Sequence, residues 1–221
     1  MARAGVSLPL DVTGRVVRVA DPGLAGKFSI VVQMTESADT LLVSAIGTST
    51  FSYTVSLNGV STTLTGITGR IIAFGLGGND SMDLSGARVA VRVDGGEGND
   101  LIQGSRLADS LFGGNGADLI AGGLGADSTN GGAGNDIVID GNVAVRTAGK
   151  TLRSVLDGWT TKVAPVDADY ASITIDLLFT ADKPSKDTLT GGLGTDWFWS
   201  ATAGAIADVT DKAVVERRRL V

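Results

Sequence analysis

Residues 95–139 have the sequence GGEGNDLIQ-GSRLADSLF-GGNGADLIA-GGLGADSTN-GGAGNDIVI, in which one nine-residue unit occurs five times without a shift in phase. Each copy follows Gly-Gly-x-Gly-x-Asp and ends in a triplet with an apolar residue at its centre. The second copy is degraded, and the fourth has Thr129 at the apolar position. A fixed period predicts one structural unit stacked on itself, so we expect a repeat architecture.

The glycines and the aspartate of each copy indicate a turn that presents oxygen atoms. Glycine adopts backbone angles that other residues avoid, so Gly-Gly-x-Gly predicts a tight turn with its carbonyl groups directed inward. The aspartate adds a carboxylate, and no nitrogen or sulfur ligand lies nearby in the sequence. Ca²⁺ prefers such oxygens, roughly 6–8 of them at about 2.3–2.6 Å, so the turn predicts calcium as the bound ion.

The triplet after each aspartate predicts a short strand with one side chain directed into the molecule, since side chains alternate along a strand. The inward residues of the five copies are predicted to be Ile102, Leu111, Ile120, Thr129 and Val138.

In these motifs the chain resembles the hemolysin-type (RTX) calcium-binding nonapeptide-repeat family of bacteria. The resemblance covers about half of the chain. It implies a mainly all-β fold, a parallel β-roll or β-helix in which two nonapeptides complete one turn. It also implies that calcium is held between loops two copies apart, so that successive loops alternate between two edges of the roll.

This rule places the loops that match the motif in full on one edge: 95–100, 113–118 and 131–136. The other edge holds loops 104–109 and 122–127, and in the former Ser105 and Leu107 replace two glycines. We therefore expect two strong sites on the first edge, one between Asp100 and Asp118 and one between Asp118 and Asp136.

The resemblance makes the motif glycines and aspartates the metal-binding residues. In the four matching copies these are Gly95, Gly96, Gly98, Asp100, Gly113, Gly114, Gly116, Asp118, Gly122, Gly123, Gly125, Asp127, Gly131, Gly132, Gly134 and Asp136. Weaker ligands are predicted at Asp109, Asp80 and Asp196.

Asp80 and Asp196 end imperfect motifs outside the main array. Asp80 precedes Asp100 by 20 residues, two more than the step of the roll, so we expect it to close the stack or to pair poorly. Asp196 ends the motif GGLGTD, and Phe198 takes the inward position after it.

The charge of the repeat predicts a fold that depends on calcium. Stacked carboxylates about 5 Å apart repel each other by roughly 3 kcal/mol per pair at an effective dielectric constant near 20. The glycines add an entropic cost to folding. We therefore expect a roll that is loose without calcium and ordered with it, because metal binding then supplies folding free energy.

Composition excludes several classes of function. The chain of 221 residues has no Cys and no His, which excludes disulfides, thiol chemistry, zinc–His sites and Ser-His-Asp triads. Its net charge of −6 argues against nucleic acid as a partner. No apolar run approaches the ~18 residues that a membrane span requires. The first twelve residues contain no convincing secretory signal.

The rest of the chain suggests four regions: a β-rich N-terminal region (1–74), a calcium-binding β-roll (75–147), a helix-containing insertion (148–181), and a residual repeat with a C-terminal cap or tail (182–221). Strands are predicted at 16–20, 28–32, 40–45, 51–57 and 71–74. Asn58 and Gly59 predict a hairpin turn. Leu152, Val155, Leu156 and Trp159 have helical spacing and predict a helix at 148–159.

Gly149, Lys150 and Thr151 match the end of a phosphate-binding loop. The first glycine of that motif is missing, since Ala144 occupies its position, and no alternating βα pattern surrounds it. We interpret these residues as the start of the helix.

These observations predict a non-enzymatic calcium-binding β-roll protein, or a piece of a larger one, that works outside the cell or on its surface as a structural or adhesive module. Its partners would be calcium ions and other extracellular components. The alternative is a polysaccharide-acting β-helix enzyme that uses Asp carboxylates, which would need paired Asp in a groove. A sugar- or ice-binding face would need a flat exposed row of Thr or aromatic residues.

Overall fold

A computed structural model describes residues 14–48, 51–145, 148–160, 177–180, 187–194 and 196–199 of the chain. The strands in this part are β1 (Arg15–Ala20), β2 (Phe28–Gln33), β3 (Thr40–Ala45), β4 (Ser52–Leu57), β5 (Val60–Thr65), β6 (Ile71–Phe74), β7 (Ser81–Gly86), β8 (Val91–Glu97), β9 (Leu101–Gln103), β10 (Ser110–Asn115), β11 (Leu119–Ala121), β12 (Ser128–Ala133), β13 (Ile137–Ile139), β14 (Asn142–Val145), β15 (Leu177–Thr180), β16 (Thr188–Leu193) and β17 (Trp197–Trp199). The helix α1 spans Leu152–Thr160. No helix in the described residues is long and apolar enough to cross a membrane.

Two sheets form a roll. The first has the strand order β1-β2-β6-β8-β10-β12-β16, and the second has the order β17-β13-β11-β9-β7-β3-β4-β5. The chain crosses from one sheet to the other at each nonapeptide, so neighbouring strands within the repeat array are parallel and 18 residues apart. This arrangement confirms the predicted all-β, parallel β-roll.

Within the repeat array, the inward residue of each triplet lies in the core between the two sheets. Ile102 pairs with Ile120, which pairs with Val138, while Leu111 pairs with Thr129 in the other sheet. All five side chains are at most 2% exposed. The predicted inward positions are therefore confirmed.

A second apolar layer lies on the outer face of the second sheet. Leu101, Leu119 and Ile137 directly follow the loop aspartates and point away from the core between the sheets, yet all three are buried. They form one apolar cluster with Val155 and Leu156 of α1. The helix therefore covers a second apolar face of the sheet. The sequence predicted only one buried apolar residue in each triplet and did not predict this face.

The parallel stack begins upstream of residue 75, in the region that the sequence set apart as β-rich. Strand β2 pairs in parallel with β6, and β3 with β7. Antiparallel strands close this end, with β1 against β2 and the hairpin β4–β5 against β3. Asn58 and Gly59 form the two-residue turn of the hairpin with φ values of 51° and 79°, as predicted.

At the other end, the chain leaves the roll after β13 and returns with β16 and β17. These strands pair with β12 and β13 in the register of the repeat. Between them lie the antiparallel pair β14–β15 and α1. The helix begins four residues later than predicted because Thr151 caps it: the Thr151 Oγ1 accepts a hydrogen bond from the Ser154 N–H at 3.1 Å. Gly149 and Lys150 thus precede a helix cap, and residues 161–176 lie outside the described part.

Thr129 is the weak point of the core. Its side chain is 1% exposed between Leu111 and Leu189, and among the described residues its hydroxyl has a single, long contact of 3.4 Å, to the Thr188 carbonyl oxygen. Thr129→Val keeps the shape and removes a poorly bonded polar group, so it should stabilise the calcium-loaded protein by about 1 kcal/mol, or roughly 2–4 °C in Tm. Thr188→Val, at an exposed position of the same sheet, should leave Tm unchanged. A loss of stability in Thr129→Val would contradict this account of the core.

Candidate metal centre

The loop aspartates form a continuous hydrogen-bonded ladder along one edge of the roll, which we call the first edge. The backbone N–H of each aspartate donates to the Oδ1 of the next, at 2.7–2.9 Å. In order, the ladder contains Asp39, Asp80, Asp100, Asp118, Asp136 and Asp196. Each Oδ1 is thereby held against the neighbouring loop.

In three of these carboxylates the second oxygen is buried without such a bond. The Oδ2 atoms of Asp80, Asp100 and Asp118 have no hydrogen-bond partner among the described residues. All three side chains are 0% exposed. A buried carboxylate oxygen without a partner is costly, so these atoms are suited to a cation.

Backbone carbonyl groups converge on the same places. A Cβ atom on Gly113 would lie 2.3 Å from the Asp118 Oδ2 and 2.4 Å from the Gly131 carbonyl oxygen. Gly116 has a φ of +129°, and a Cβ there would lie 2.1 Å from the Gly98 carbonyl oxygen. Only glycine allows this approach of stacked loops, which explains the motif and leaves recesses lined by oxygen atoms.

The donor set fits calcium. Among the described residues, no three acidic side chains converge on one point, so a cation here would depend on backbone carbonyls together with a carboxylate from each neighbouring loop. Hard oxygen donors of this kind hold Ca²⁺, whereas zinc sites use Cys and His, which the chain lacks.

Burial makes the carboxylates difficult to ionise. It raises the pKa of Asp80, Asp100 and Asp118 to about 7, and that of Asp109 to about 6. The neighbouring carboxylates add to the increase for Asp80 and Asp100, while hydrogen bonds from the ladder oppose it. Ionised carboxylates are therefore unfavourable on the folded edge unless a proton or a metal ion neutralises them.

The opposite edge, which we call the second edge, is held differently at its degraded loop. Asp109 accepts hydrogen bonds from the Ser105 N–H to Oδ2 at 2.6 Å and from the Ser105 hydroxyl to Oδ1 at 2.9 Å. The Ser105 Oγ also accepts the Leu107 N–H at 3.1 Å. Both oxygens of Asp109 are thus engaged by its own loop. The ladder continues through Asp127 and Asp187, at 2.9 and 2.8 Å.

Asp39, which lies at the upstream end of the first edge, was not among the residues predicted from the sequence. Its loop is closed as at Asp109: the Thr35 N–H and hydroxyl donate to the Asp39 Oδ2 at 2.6 and 2.8 Å. Thr35-Glu-Ser-Ala-Asp39 and Ser105-Arg-Leu-Ala-Asp109 share a hydroxyl residue four positions before the aspartate. That spacing is the signal that could have identified Asp39.

Asp80 and Asp196 take regular places in the ladder. The poor pairing expected of Asp80 is not observed, because its two extra residues are taken up on the second edge between β7 and β8, where the spacing changes from 20 to 18. Asp196 stacks on Asp136 across a separation of 60 residues. The structure also brings Asp100, Asp118 and Asp136 together in the predicted order.

Helix α1 reaches the first edge with two side chains that the sequence analysis did not connect with it. The Arg153 guanidinium donates to the Asn99 carbonyl oxygen at 2.5 Å and to the Asp80 carbonyl oxygen. The Trp159 Nε1 donates to the Asn135 carbonyl oxygen at 2.6 Å. The helix thus docks on carbonyl groups of a loop aspartate (Asp80) and of the residues before two others (Asn99 and Asn135).

Comparison with known proteins agrees with this geometry. A family described as RTX calcium-binding nonapeptide repeat (4 copies) matches residues 94–129, 103–138 and 185–201. No curated protein and no solved structure matches the chain. The matched residues include the five consecutive loops between residues 95 and 136 and the motif that ends at Asp196, and Ca²⁺ is the ion that repeats of this family bind. The chain therefore carries RTX calcium-binding nonapeptide repeats, folded as a β-roll.

Proposed function

We propose that this chain is a non-enzymatic, calcium-stabilised β-roll module that works outside a bacterial cell or on its surface as a structural or adhesive element. The observation that supports it most directly is the row of buried carboxylate oxygens on the first edge, since Asp80, Asp100 and Asp118 each hold an Oδ2 without a hydrogen-bond partner in the described residues. A cation between the loops would turn this cost into a source of stability.

The ions would lie between successive loops of the first edge. Asp100–Asp118 and Asp118–Asp136 are the principal intervals, because all three loops have the full motif. The regular stacking supports two further intervals, Asp80–Asp100 and Asp136–Asp196. On the second edge we expect weaker binding, because Ser105 already occupies both oxygens of Asp109.

The proposed extracellular setting would match the calcium affinities that are typical of such modules. Extracellular calcium modules bind with dissociation constants of roughly 10⁻⁴–10⁻³ M, so they are loaded outside the cell and remain unloaded where free calcium is scarce. The chain would then be loosely folded before export, without calcium, and ordered after export, with calcium bound. The described strands upstream of residue 75 would begin the stack and close its upstream end, and β16 and β17 would continue the stack downstream.

The arrangement of the aspartates favours a binding module over an enzyme. Polysaccharide hydrolysis requires two carboxyl groups that reach the substrate. Asp100, Asp118 and Asp136 are each 0% exposed within the loop edges rather than aligned in an open groove. Nor is there a uniform threonine row across the first sheet, where Arg92, Ser110, Ser128 and Thr188 stand in register.

Calcium should order and stabilise the protein, and magnesium should not replace it. Magnesium requires near-octahedral geometry at about 2.0–2.1 Å and retains its water, which stacked carbonyls accommodate poorly. Circular dichroism and thermal melts of chelated protein should show a gain of β-structure and a higher Tm as calcium is added. Equal effects of magnesium at similar concentrations, or no effect of calcium, would contradict the proposed function.

Removing one charge from the first edge should weaken the calcium response. Asp118→Asn retains an oxygen that can accept the ladder hydrogen bond but loses the charge of the Oδ2, so the calcium midpoint for folding should rise at least about tenfold, or ~1.4 kcal/mol. In Asp109→Asn, bonds within one loop are lost, so Tm should fall by a similar amount with and without calcium. Equal shifts of the calcium midpoint in the two variants would argue against the assignment of strong sites to the first edge.

The pH dependence of the calcium-free protein provides an independent check. Asp80, Asp100 and Asp118 have pKa values near 7 in the folded state and an ordinary value of 3.8, so the folded chain binds protons more tightly. Without calcium, the free energy of unfolding should therefore increase as pH falls from about 8 to 5. It should decrease when pH is raised back through 7. Saturating calcium should remove or reverse this trend, because it favours the ionised carboxylates. Melting in chelator that is flat across this range would contradict the assigned burial.

A further inference from the structure

The helix α1 is attached to the first edge at two points that match its length. Arg153 and Trp159 are six residues apart in the helix, a rise of about 9 Å. Their acceptors, the carbonyl oxygens of Asn99 and Asn135, belong to loops that precede β9 and β13, two strand steps or roughly 9.5 Å apart. The helix therefore spans three successive loops of the carboxylate edge.

Arg153 bridges one particular interval of this edge. Its two terminal nitrogens donate to the carbonyl oxygens of Asp80 and Asn99, which belong to the loops that end at Asp80 and Asp100. The guanidinium is held by carbonyls and leaves the Oδ2 atoms of both aspartates without a hydrogen-bond partner in the described residues. A permanent positive charge thus lies beside carboxylates that remain available to a metal ion.

The positive charge of Arg153 is fixed next to the carboxylates of one interval. Its guanidinium donates hydrogen bonds to the carbonyl oxygens of Asp80 and Asn99, so it lies beside the Asp80 and Asp100 loops and attracts their carboxylates. A fixed cation that assists ionisation of the carboxylates also repels a divalent cation bound by them, because both effects have the same Coulombic origin. The repulsion is strongest at the interval that the guanidinium bridges.

We propose that Arg153 is a resident cation of the first edge, which stabilises the stacked carboxylates before calcium binds and makes the Asp80–Asp100 interval the weakest calcium site of that edge. Helix α1 then lies across the loops of the first edge, and its Arg153 sets the calcium concentration at which all sites of that edge are occupied. This inference rests on the proposed function, since it assumes calcium binding on the first edge.

The test compares three variants of the full chain. Arg153→Met removes the charge and keeps an unbranched apolar side chain, while Arg153→Lys keeps the charge and loses the forked donor. Arg92→Met, at an exposed position on the outer face of the first sheet, removes one positive charge away from the helix and serves as the control for net charge. Each protein is melted in chelator and in saturating calcium, and calcium is then withdrawn from the loaded protein with a competing chelator.

Arg153→Met should lower Tm in chelator but gain more from calcium than the wild type, and its weakest calcium should bind about tenfold more tightly. Arg153→Lys should retain the calcium affinity of the wild type, and Arg92→Met should match the wild type in both measurements. When Asp80→Asn is combined with Arg153→Met, the increase in calcium affinity at the weakest site should disappear. The withdrawal experiment starts from the loaded protein, so it still decides the question if Arg153→Met unfolds in chelator.

An equal loss of Tm in chelator and calcium, with unchanged affinity, would show that Arg153 only anchors the helix and would overturn the proposal. Weaker calcium binding in Arg153→Met would also overturn it, because the arginine would then assist the ion instead of repelling it. Failure of the proposed function itself is distinguishable, since the wild-type protein would then show no response to calcium.

Discussion

The constraint on which the structure depends is the burial of a row of carboxylates one strand spacing apart. The N–H of each aspartate fixes one oxygen of the next, so the loops are locked in register, while on the first edge a second oxygen is enclosed by backbone carbonyls. Few groups other than a proton or a metal ion can make that enclosure favourable. The glycine content and the parallel pairing of short strands follow from the need to bring such loops together, and the same need is the basis of the calcium dependence that we propose.

The repeat itself was predictable because its physics is local. Period, turn glycines and the inward position of each triplet are determined within nine residues, and Ile102, Ile120 and Val138 occupy the core as the sequence indicates. Long-range features were less accessible. The stacking of Asp196 on Asp136 across 60 residues depends on where the chain returns to the roll, and no spacing rule within the repeat contains that information.

Two departures from prediction have physical explanations. Asp80 was expected to close the stack or to pair poorly, yet it is paired on both sides, because an insertion on one edge of the roll leaves the register of the other edge intact. Helix α1 was predicted from its own periodicity but not its location. Its location follows from Leu101, Leu119 and Ile137, whose apolar side chains on an outward face required a cover. The apolar residues beside each aspartate were therefore as informative as those at the centre of each triplet.

The hydroxyl-closed loops have a consequence for how this chain finds its correct alignment. A run of identical nonapeptides has translational symmetry: slipping one strand past its neighbour by a whole turn would restore nearly every contact. Ser105 closes its loop on Asp109 through hydrogen bonds within that loop, and Thr35 does the same for Asp39. These two turns therefore differ from the Gly-Gly-x-Gly turns in the described part of the chain. A shifted strand register would place these two turns beside loops of a different type, and so would be less stable. The imperfect copies thus favour one alignment of the strands, whereas a perfect repeat would allow several alignments of similar stability.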